Sequence, residues 1–372
     1  MELRSLTLCP KYFFGNRAVD KLGQFCREID LQEKSAVLVC DSATWKAAAE
    51  KAFASLTASG FHVDKVIVEK GAVRSEVDKA RERIRPLRPC IVLGIGGGVS
   101  MDIAKASAFL ERAPWITVPT SFATDAMTGI NATFRGENRG VDDKAHEGDY
   151  DVRVGPPLAC VVDTEIVRNA PWRFQAAGYA DYLAKLCATH DWELAYSRGK
   201  DRTYGEYAIM LAGAQVEYLM NNASRIRKKD ERAFESFLQI MMNDGFLTEM
   251  AGNSRILFGS EHVVAQALME EQTRARVSGL HGEQVGLGTI LMSHLQGQDW
   301  MAVKRALEEV GAPVTGEQMG LGEDSVIRAL TRAQAINQSW LRDRPDFHTV
   351  LMEKPLTAES AKEIATETDV IA

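Results

Sequence analysis

Several kinds of signal are missing from this chain, and each absence narrows what it can be. Its six cysteines, Cys9, Cys26, Cys40, Cys90, Cys160 and Cys187, form no CxxC or zinc-knuckle spacing. That pattern fits reduced core thiols in a cytoplasmic protein, not a thiolate metal site. No apolar run approaches the roughly 20 residues that span a bilayer, and residues 1–10 lack the long apolar segment of a signal peptide. A cytoplasmic location without membrane insertion is therefore expected. Positive charge is not in excess: the net charge of −7 argues against nucleic acid as a partner. Small anions are not excluded, because they need only a local cluster of donors. There is no internal repeat, no low-complexity segment and no HExxH signature, and the lysine-serine ending of a triphosphate P-loop is absent.

At 372 residues, 45% of them hydrophobic, the chain is too long for one compact core and suits two domains. Strand and helix signals alternate over the first 120 or so residues. Apolar runs at 36–41, 63–68, 90–95, 115–118 and 158–163 read as strands. Between them, 44–59 reads as an alanine-rich helix closed by Gly60. Ser75-Glu-Val-Asp78 reads as an N-cap pattern opening a charged helix, and a further helix runs from about 99 to 110. The strand at 90–95 is continuously apolar, as a strand buried on both faces should be. This alternation predicts an α/β N-terminal domain with a parallel sheet and helices on both faces. Residues 136–150, GENRGVDDKAHEGDY, read as an exposed loop. After Thr164 strand signals stop, and long helical stretches follow at 172–196, 204–221 and 231–250. The expectation is an NAD-binding domain over 1–164 and an all-α, metal-binding C-terminal domain over 165–372.

Two loops in the first half suit a dinucleotide. In IVLGIGGGVSMDIAK, the run Gly96-Gly97-Gly98 sits where a strand hands over to a helix. Without Cβ atoms, phosphates can approach the backbone, and the helix N-terminus offers unpaired N–H groups and a positive dipole end. The run is not GxGxxG in register, and a plain tight turn would use the same residues. Asp41 ends an earlier strand, where acids accept hydrogen bonds from an adenosine ribose and disfavour a 2′-phosphate, favouring NAD(H) over NADP(H). An N-cap for the helix near Thr44 is the competing role. In Val118-Pro-Thr-Ser-Phe-Ala-Thr-Asp125, hydroxyls crowd a strand end. They suit ribose and diphosphate oxygens, and also an ordinary turn with self-bonded threonines.

The helical half holds Asp181 in AAGYADYLAK, His262 in FGSEHVVAQAL and His281 in GLHGEQVGLG. Imidazole and carboxylate without thiolate suit Zn²⁺ first, with Fe²⁺ or Ni²⁺ as alternatives. Three protein ligands leave positions open for a substrate oxygen, the catalytic arrangement rather than the closed structural one. Glu283 follows His281 by two residues and suits either an orienting partner for a ligand or a helix N-terminal acid. His62, His146, His190, His294 and His348 read as surface or satisfied core groups.

Taken in order from about residue 90 to 290, GIGGGVSMDIAK, VPTSFATD, AGYADYLAK, GNSR…GSEH and HGEQVGLGT resemble one superfamily. It contains dehydroquinate synthases, glycerol dehydrogenases and iron-containing alcohol dehydrogenases, and the chain looks most like its glycerol-1-phosphate dehydrogenases. The resemblance implies a Rossmann-like domain beside an α-helical one, with the active site in a cleft between them. It implies that Gly98, Val99, Ser100, Met101 and Asp102 line the diphosphate. Thr120, Ser121, Phe122 and Ala123 would contact the nicotinamide side, with Gly129 nearby. Asp125 would touch substrate, and Asp181, His262 and His281 would hold the metal, with Asp181 also reaching substrate. Relatives are often dimers or larger, so a homo-oligomer is implied by analogy.

One departure falls at the substrate pocket. The family carries a histidine four residues after its first metal histidine, and here that position is Gln266. One helical turn keeps Gln266 on the face of His262, and its amide can donate and accept but cannot carry charge. The segment Arg255-Ile-Leu-Phe258 also departs from the small-residue-rich stretch usual there. These readings imply an NAD(P)(H)- and metal-dependent oxidoreductase acting on dihydroxyacetone phosphate and glycerol 1-phosphate, or on a related polyol or hydroxy-ketone. Arg135, Lys185 and Arg255 are the candidate cations for a substrate phosphate. The alternatives are a sugar-phosphate cyclase using NAD transiently, which needs more lysines and arginines than surround Asp181, and a homologue that binds nucleotide without turnover.

Overall fold

The structure, a computed structural model, describes residues 6–29, 34–123, 125–134, 136 and 150–372, with the side chains of Asp125, Tyr150, Asp151 and Asp343 excepted. The chain divides into two compact units, Met1–Pro171 and Trp172–Ala372.

In the first unit the strands are β1 (Tyr12–Gly15), β2 (Ser35–Cys40), β3 (His62–Ile67), β4 (Cys90–Gly96), β5 (Trp115–Pro119), β6 (Asn131–Phe134), β7 (Tyr150–Arg153) and β8 (Ala159–Asp163). The helices are α1 (Leu22–Glu28), α2 (Ser42–Thr44), α3 (Glu50–Ala58), α4 (Arg74–Ile84), α5 (Gly98–Leu110) and α6 (Thr164–Asn169). Six strands form one parallel sheet in the order β1-β8-β5-β4-β2-β3. The apolar runs explain why. Ala36, Leu38 and Cys40 of β2 join Ile91, Leu93 and Ile95 of β4 in a core on one face. Val37 and Val39 join Val92 in a core on the other, against Val77 and Ala80 of α4 and Ile103 of α5. Period-2 alternation thus feeds two cores at once, which is why these strands read as unbroken apolar runs.

The five expected strands are present, as are the helices between them. Two features were not legible. Four-residue β1 is an edge strand with partly exposed side chains, so no apolar run announces it. β6 and β7 pair antiparallel, and Tyr150, expected in a loop, opens β7. Most of that loop, with Arg135 and His146, lies outside the described residues. The charged helix begins at Arg74, with Val73 at the cap, not Ser75. Glu76 explains the shift: its buried carboxylate turns back to accept from the N–H groups of Glu69 and Lys70. The helix α6 belongs to the first unit, beyond the boundary expected at 164. Asp163 anchors it, accepting from Glu165 N and Ile166 N, and also from Arg17 N and Val19 N beside β1.

The second unit is helical among its described residues. It runs through α7 (Trp172–Leu183), α8 (Lys185–Ser197), α9 (Glu206–Arg227), α10 (Glu231–Met241), α11 (Asp244–Ala251), α12 (Ser260–Ala275), α13 (His281–Leu295), α14 (Trp300–Val310), α15 (Glu323–Asp343), α16 (Val350–Glu353) and α17 (Ala358–Glu367). The stretches read as single helices at 172–196 and 231–250 are each two. They break at Ala184 and at Met242-Asn243, and the breaks let Lys185 and Asp244 meet as a buried ion pair, Nζ to Oδ1 2.8 Å. Among the described residues no helix is long and apolar enough to cross a membrane.

Arg198 reaches Glu353 with two guanidinium nitrogens, at 2.6 and 2.7 Å, and His348 adds a third contact at 3.2 Å. The Arg198 bond above all, outweighing partial burial, holds the Glu353 carboxyl down at about 2 against its usual 4.5. A carboxyl depressed in the folded state adds stability above its unfolded value and loses it as pH falls through the folded one. Glu353→Gln is therefore expected to lower the thermal midpoint of the second unit near neutral pH. The gap from wild type should shrink as pH drops from 4.5 towards 2, and calorimetry across that range reads it directly.

Candidate metal centre and dinucleotide loops

Close helix packing builds the first candidate site. α13 lies against both α7 and α12, and glycines make the approach possible. A Cβ on Gly282 would sit 1.9 Å from the carbonyl oxygen of Ala177 in α7. A Cβ on Gly288 would sit 2.5 Å from that of Glu261 in α12. The small residues Ala184, Ala265 and Val285 fill the junction. The motifs AGYAD and HGEQVGLG are thus packing surfaces first, and the packing is what carries their polar residues together.

Asp181 lies in the last turns of α7, His262 in the first turn of α12, and His281 opens α13. Asp181 Oδ1 lies 3.5 Å from His262 Nε2 and 3.8 Å from His281 Nε2. One ligand atom from each residue falls within 4.8 Å of the other two. Ligands about 2.1 Å from a tetrahedral ion are about 3.4 Å apart, so the donor set fits one divalent cation with little adjustment. His281 is 60% exposed whereas His262 is 8% exposed, so the site opens on the His281 side.

The electrostatics suit a cation. Burial alone would raise the Asp181 carboxyl, yet His281, His262 and Lys185 together hold it below its usual value. Burial likewise opposes charge on His262, but hydrogen bonds with Asp181 and Glu261 outweigh it and lift the ring to about 9. This basic imidazole faces an ionised carboxylate. His262 Nδ1 bonds Glu261 Oε1 at 2.9 Å, leaving Nε2 towards Asp181. The ring of Phe258 covers His262, with centroids 4.4 Å apart.

The second candidate site lies in the first unit, where strand order reverses between β2 and β4. Ligands in open α/β sheets bind at the carboxyl ends of such strands. Gly96 has φ +146°, a conformation that favours glycine, and its Cβ would come 3.0 Å from Ser100 Oγ and 3.3 Å from Thr44 Cγ2. Gly97, at the start of α5, makes no side-chain cap and has open space where a Cβ would be. An uncapped helix end beside an open backbone fits a diphosphate. The buried Ser100 hydroxyl has no hydrogen-bond partner, a second feature that suits a polar ligand. Thr120 N donates to Gly96 O at 3.0 Å, so the threonine loop abuts the glycine loop.

Residues 13–171 match the family model described as iron-containing alcohol dehydrogenase. A glycerol-1-phosphate dehydrogenase (NAD(P)+) of Methanothermobacter thermautotrophicus is 33% identical over all of both chains. That of Thermococcus kodakarensis is 34% identical over 84% of each. The chain belongs to the glycerol-1-phosphate dehydrogenase family. Its fold matches the solved glycerol dehydrogenase of Schizosaccharomyces pombe, TM-score 0.74 at 21% identity over 99% of this chain and 91% of that one.

Within this family member, the other expected site residues fall into distinct groups. Val99 is 43% exposed on the first turn of α5, beside the open face of Gly97. Asp102 pairs with Lys105 at 3.2 Å. The buried Lys105 ammonium donates to Asn131 O at 2.6 Å and to Gly129 O at 3.5 Å, tying α5 to the Gly129 loop. Met101 and Phe122 are fully buried. Met101 N bonds back to Gly97 O and its sulfur accepts from Thr117, so this side chain serves the core. Thr120 and Ser121 are largely buried and Ala123 partly so. Asp41 caps the helix after β2, with both capping bonds from Ala43 N and Thr44 N falling on Oδ1. Asp125 begins a 3-10 turn, and its side chain lies outside the described groups. Gln266 is half-buried, one turn from His262.

Two cations expected to grip a phosphate are committed elsewhere. Arg255 is 3% exposed and donates to the carbonyls of Asp191 and His348, with its guanidinium over Phe347. Lys185 is paired with Asp244 and sits on the Tyr182 ring. Glu283 is a helix N-terminal acid: it accepts from Leu280 N and pairs with Arg173 rather than orienting His281. Glu261, which does hold the His262 imidazole, was not legible. Neighbouring helical residues diverge by about 100°, so adjacency to His262 is no signal for contact.

Gly282→Ala should be costly. The clash is with backbone, so α7 and α13 must separate, costing about 1–3 kcal/mol or more and carrying His281 away from Asp181. The expected result is a lower melting temperature together with weakened zinc binding by competition titration.

Proposed function

We propose that the protein is an NAD(P)(H)- and metal-dependent oxidoreductase interconverting dihydroxyacetone phosphate and glycerol 1-phosphate. The convergence of Asp181, His262 and His281 on one point carries this reading, in a chain similar over its whole length to glycerol-1-phosphate dehydrogenases. When bound, a divalent cation supplies Lewis-acid polarisation of a substrate oxygen, and nicotinamide gives or takes the hydride. Zinc suits the two imidazoles and one carboxylate best, with iron or nickel compatible.

The chain's own groups have definable tasks. Asp181, kept ionised by His281, His262 and Lys185, offers an anionic ligand and an acceptor for a substrate hydroxyl. Gln266, on the face of His262, offers a neutral donor and acceptor to the substrate. The open N-terminus of α5, with Gly97, Gly98, Val99 and Ser100, receives the diphosphate. Asp41, an acid at the end of β2, disfavours a 2′-phosphate and so favours NAD(H). Asp125 is assigned to substrate by family resemblance. The substrate phosphate is held by groups other than Lys185, whose charge Asp244 already neutralises; Arg255 is buried, with the carbonyl oxygens of Asp191 and His348 as its acceptors. The cyclase alternative loses support on the same ground, since it needs free lysines beside Asp181.

Zinc-loaded protein is expected to oxidise NADH when given dihydroxyacetone phosphate, with one NADH consumed per glycerol 1-phosphate formed. Turnover of an unphosphorylated ketone alone would reject the phosphate substrate, and turnover without net NADH change would indicate a cyclase. His281→Ala should remove stoichiometric zinc and at least about 100-fold of activity together. Activity surviving without zinc would refute the metal assignment. Gln266→Ala removes about one hydrogen bond and should raise KM for substrate roughly tenfold, with a smaller change in kcat.

A further inference from the structure

We infer that Glu261 is a positioning residue for the metal: it orients His262 and raises the donor strength of its Nε2. The inference rests on the metal reading of Asp181, His262 and His281. The side chain of Glu261 is fully buried, and its Oε1 accepts from Gly259 N at 2.8 Å and faces His262 Nδ1 at 2.9 Å. An imidazole whose Nδ1 proton is held this way presents Nε2 with its lone pair outward, and here Nε2 points at Asp181. A carboxylate behind a ligand imidazole makes it a better donor and restricts its rotation. Phe258, tilted against the same ring, limits the remaining freedom.

The turn around Glu261 fixes where its side chain lies. Its Oε2 is buried with no hydrogen-bond partner, a costly arrangement for a group that only capped a helix. Gly259 makes room for it, since a Cβ there would lie 2.7 Å from Oε2 and 2.8 Å from Asp191 Oδ2. Asp191 fixes the same turn of backbone, accepting from Ser260 N and Val350 N, both at 2.7 Å. Arg255 braces Asp191 through its carbonyl, Nη2 to O 3.0 Å. Arg255 therefore contributes to the site indirectly, by stabilising the turn from which Glu261 and His262 project.

The competing role, a helix N-terminal acid, predicts a different response. Zinc affinity of the full chain is to be measured by chelator competition for wild type, Glu261→Gln, Glu261→Ala and His281→Ala, with melting of each metal-free protein alongside. Glu261→Ala should lose about ten- to hundredfold in zinc affinity. Glu261→Gln, which keeps an oxygen to accept the Nδ1 proton but drops the charge, should recover part of that loss. Wild-type zinc affinity in Glu261→Ala, with only the melting temperature lowered, would overturn the inference. If wild type and His281→Ala bind zinc equally, or neither binds it, the metal reading itself fails. The zinc-loaded wild type decides the case even if neither Glu261 variant folds. NMR of 15N-histidine protein should show His262 with Nε2 metallated and a slowly exchanging, strongly downfield Nδ1 proton. Metal on Nδ1, or a rapidly exchanging Nδ1 proton, would refute the inference.

Discussion

The second unit depends on how closely three helices can approach. Asp181, His262 and His281 lie on α7, α12 and α13, and their ligand atoms meet only because α13 carries glycine where it crosses the other two. A methyl at Gly282 or Gly288 would overlap a backbone carbonyl, and backbone cannot rotate aside as a side chain can. Apolar packing at this junction is made from alanine and valine, so little bulk separates the helix axes. The constraint is steric, and the electrostatics follow from it. Once two imidazoles and a carboxylate are held this close in a partly buried setting, the proton affinity of His262 rises and that of Asp181 falls.

The first unit meets a related constraint in a different way. At the end of β4 the backbone adopts a conformation natural to glycine at Gly96, and the next two positions lack Cβ atoms as well. The start of α5 is left uncapped, and the threonine loop is tied to the end of β4 by a backbone bond from Thr120 to Gly96. Lys105 braces the arrangement from beneath, buried and spanning the carbonyls of Gly129 and Asn131. An ammonium so placed orders the loop while its charge is offset by Asp102.

Buried charge in the helical unit is organised in support of these surfaces. Lys185 with Asp244 and Arg255 with the Asp191 and His348 carbonyls are nearly inaccessible to water. Both cations sit near residues of the site in sequence, which made them natural candidates for gripping an anion. A cation taken out of water and paired, as Lys185 is with Asp244, has little attraction left for a substrate phosphate, and Arg255 is held inside the fold against two carbonyl oxygens.

Much of this protein can be read from local pattern alone. Unbroken apolar runs specify the buried parallel strands, glycine after a strand marks the turn into α5, and AGYAD, GSEH and HGEQVGLG carry the family. Asp181, His262 and His281 were identifiable because residue type and motif travel together. Local pattern was insufficient wherever a side chain had to choose between partners far apart in the chain. It could not separate Glu261 from Glu283, one behind the His262 imidazole and the other at a helix start. Nor could it tell that Lys185 was already paired and Arg255 buried against two carbonyls, or that a helix would break at Ala184. Sequence specifies which groups are available and with what period they recur. Burial and long-range pairing, which arise only when α7, α12 and α13 close on one another, decide which of those groups remain free to do chemistry.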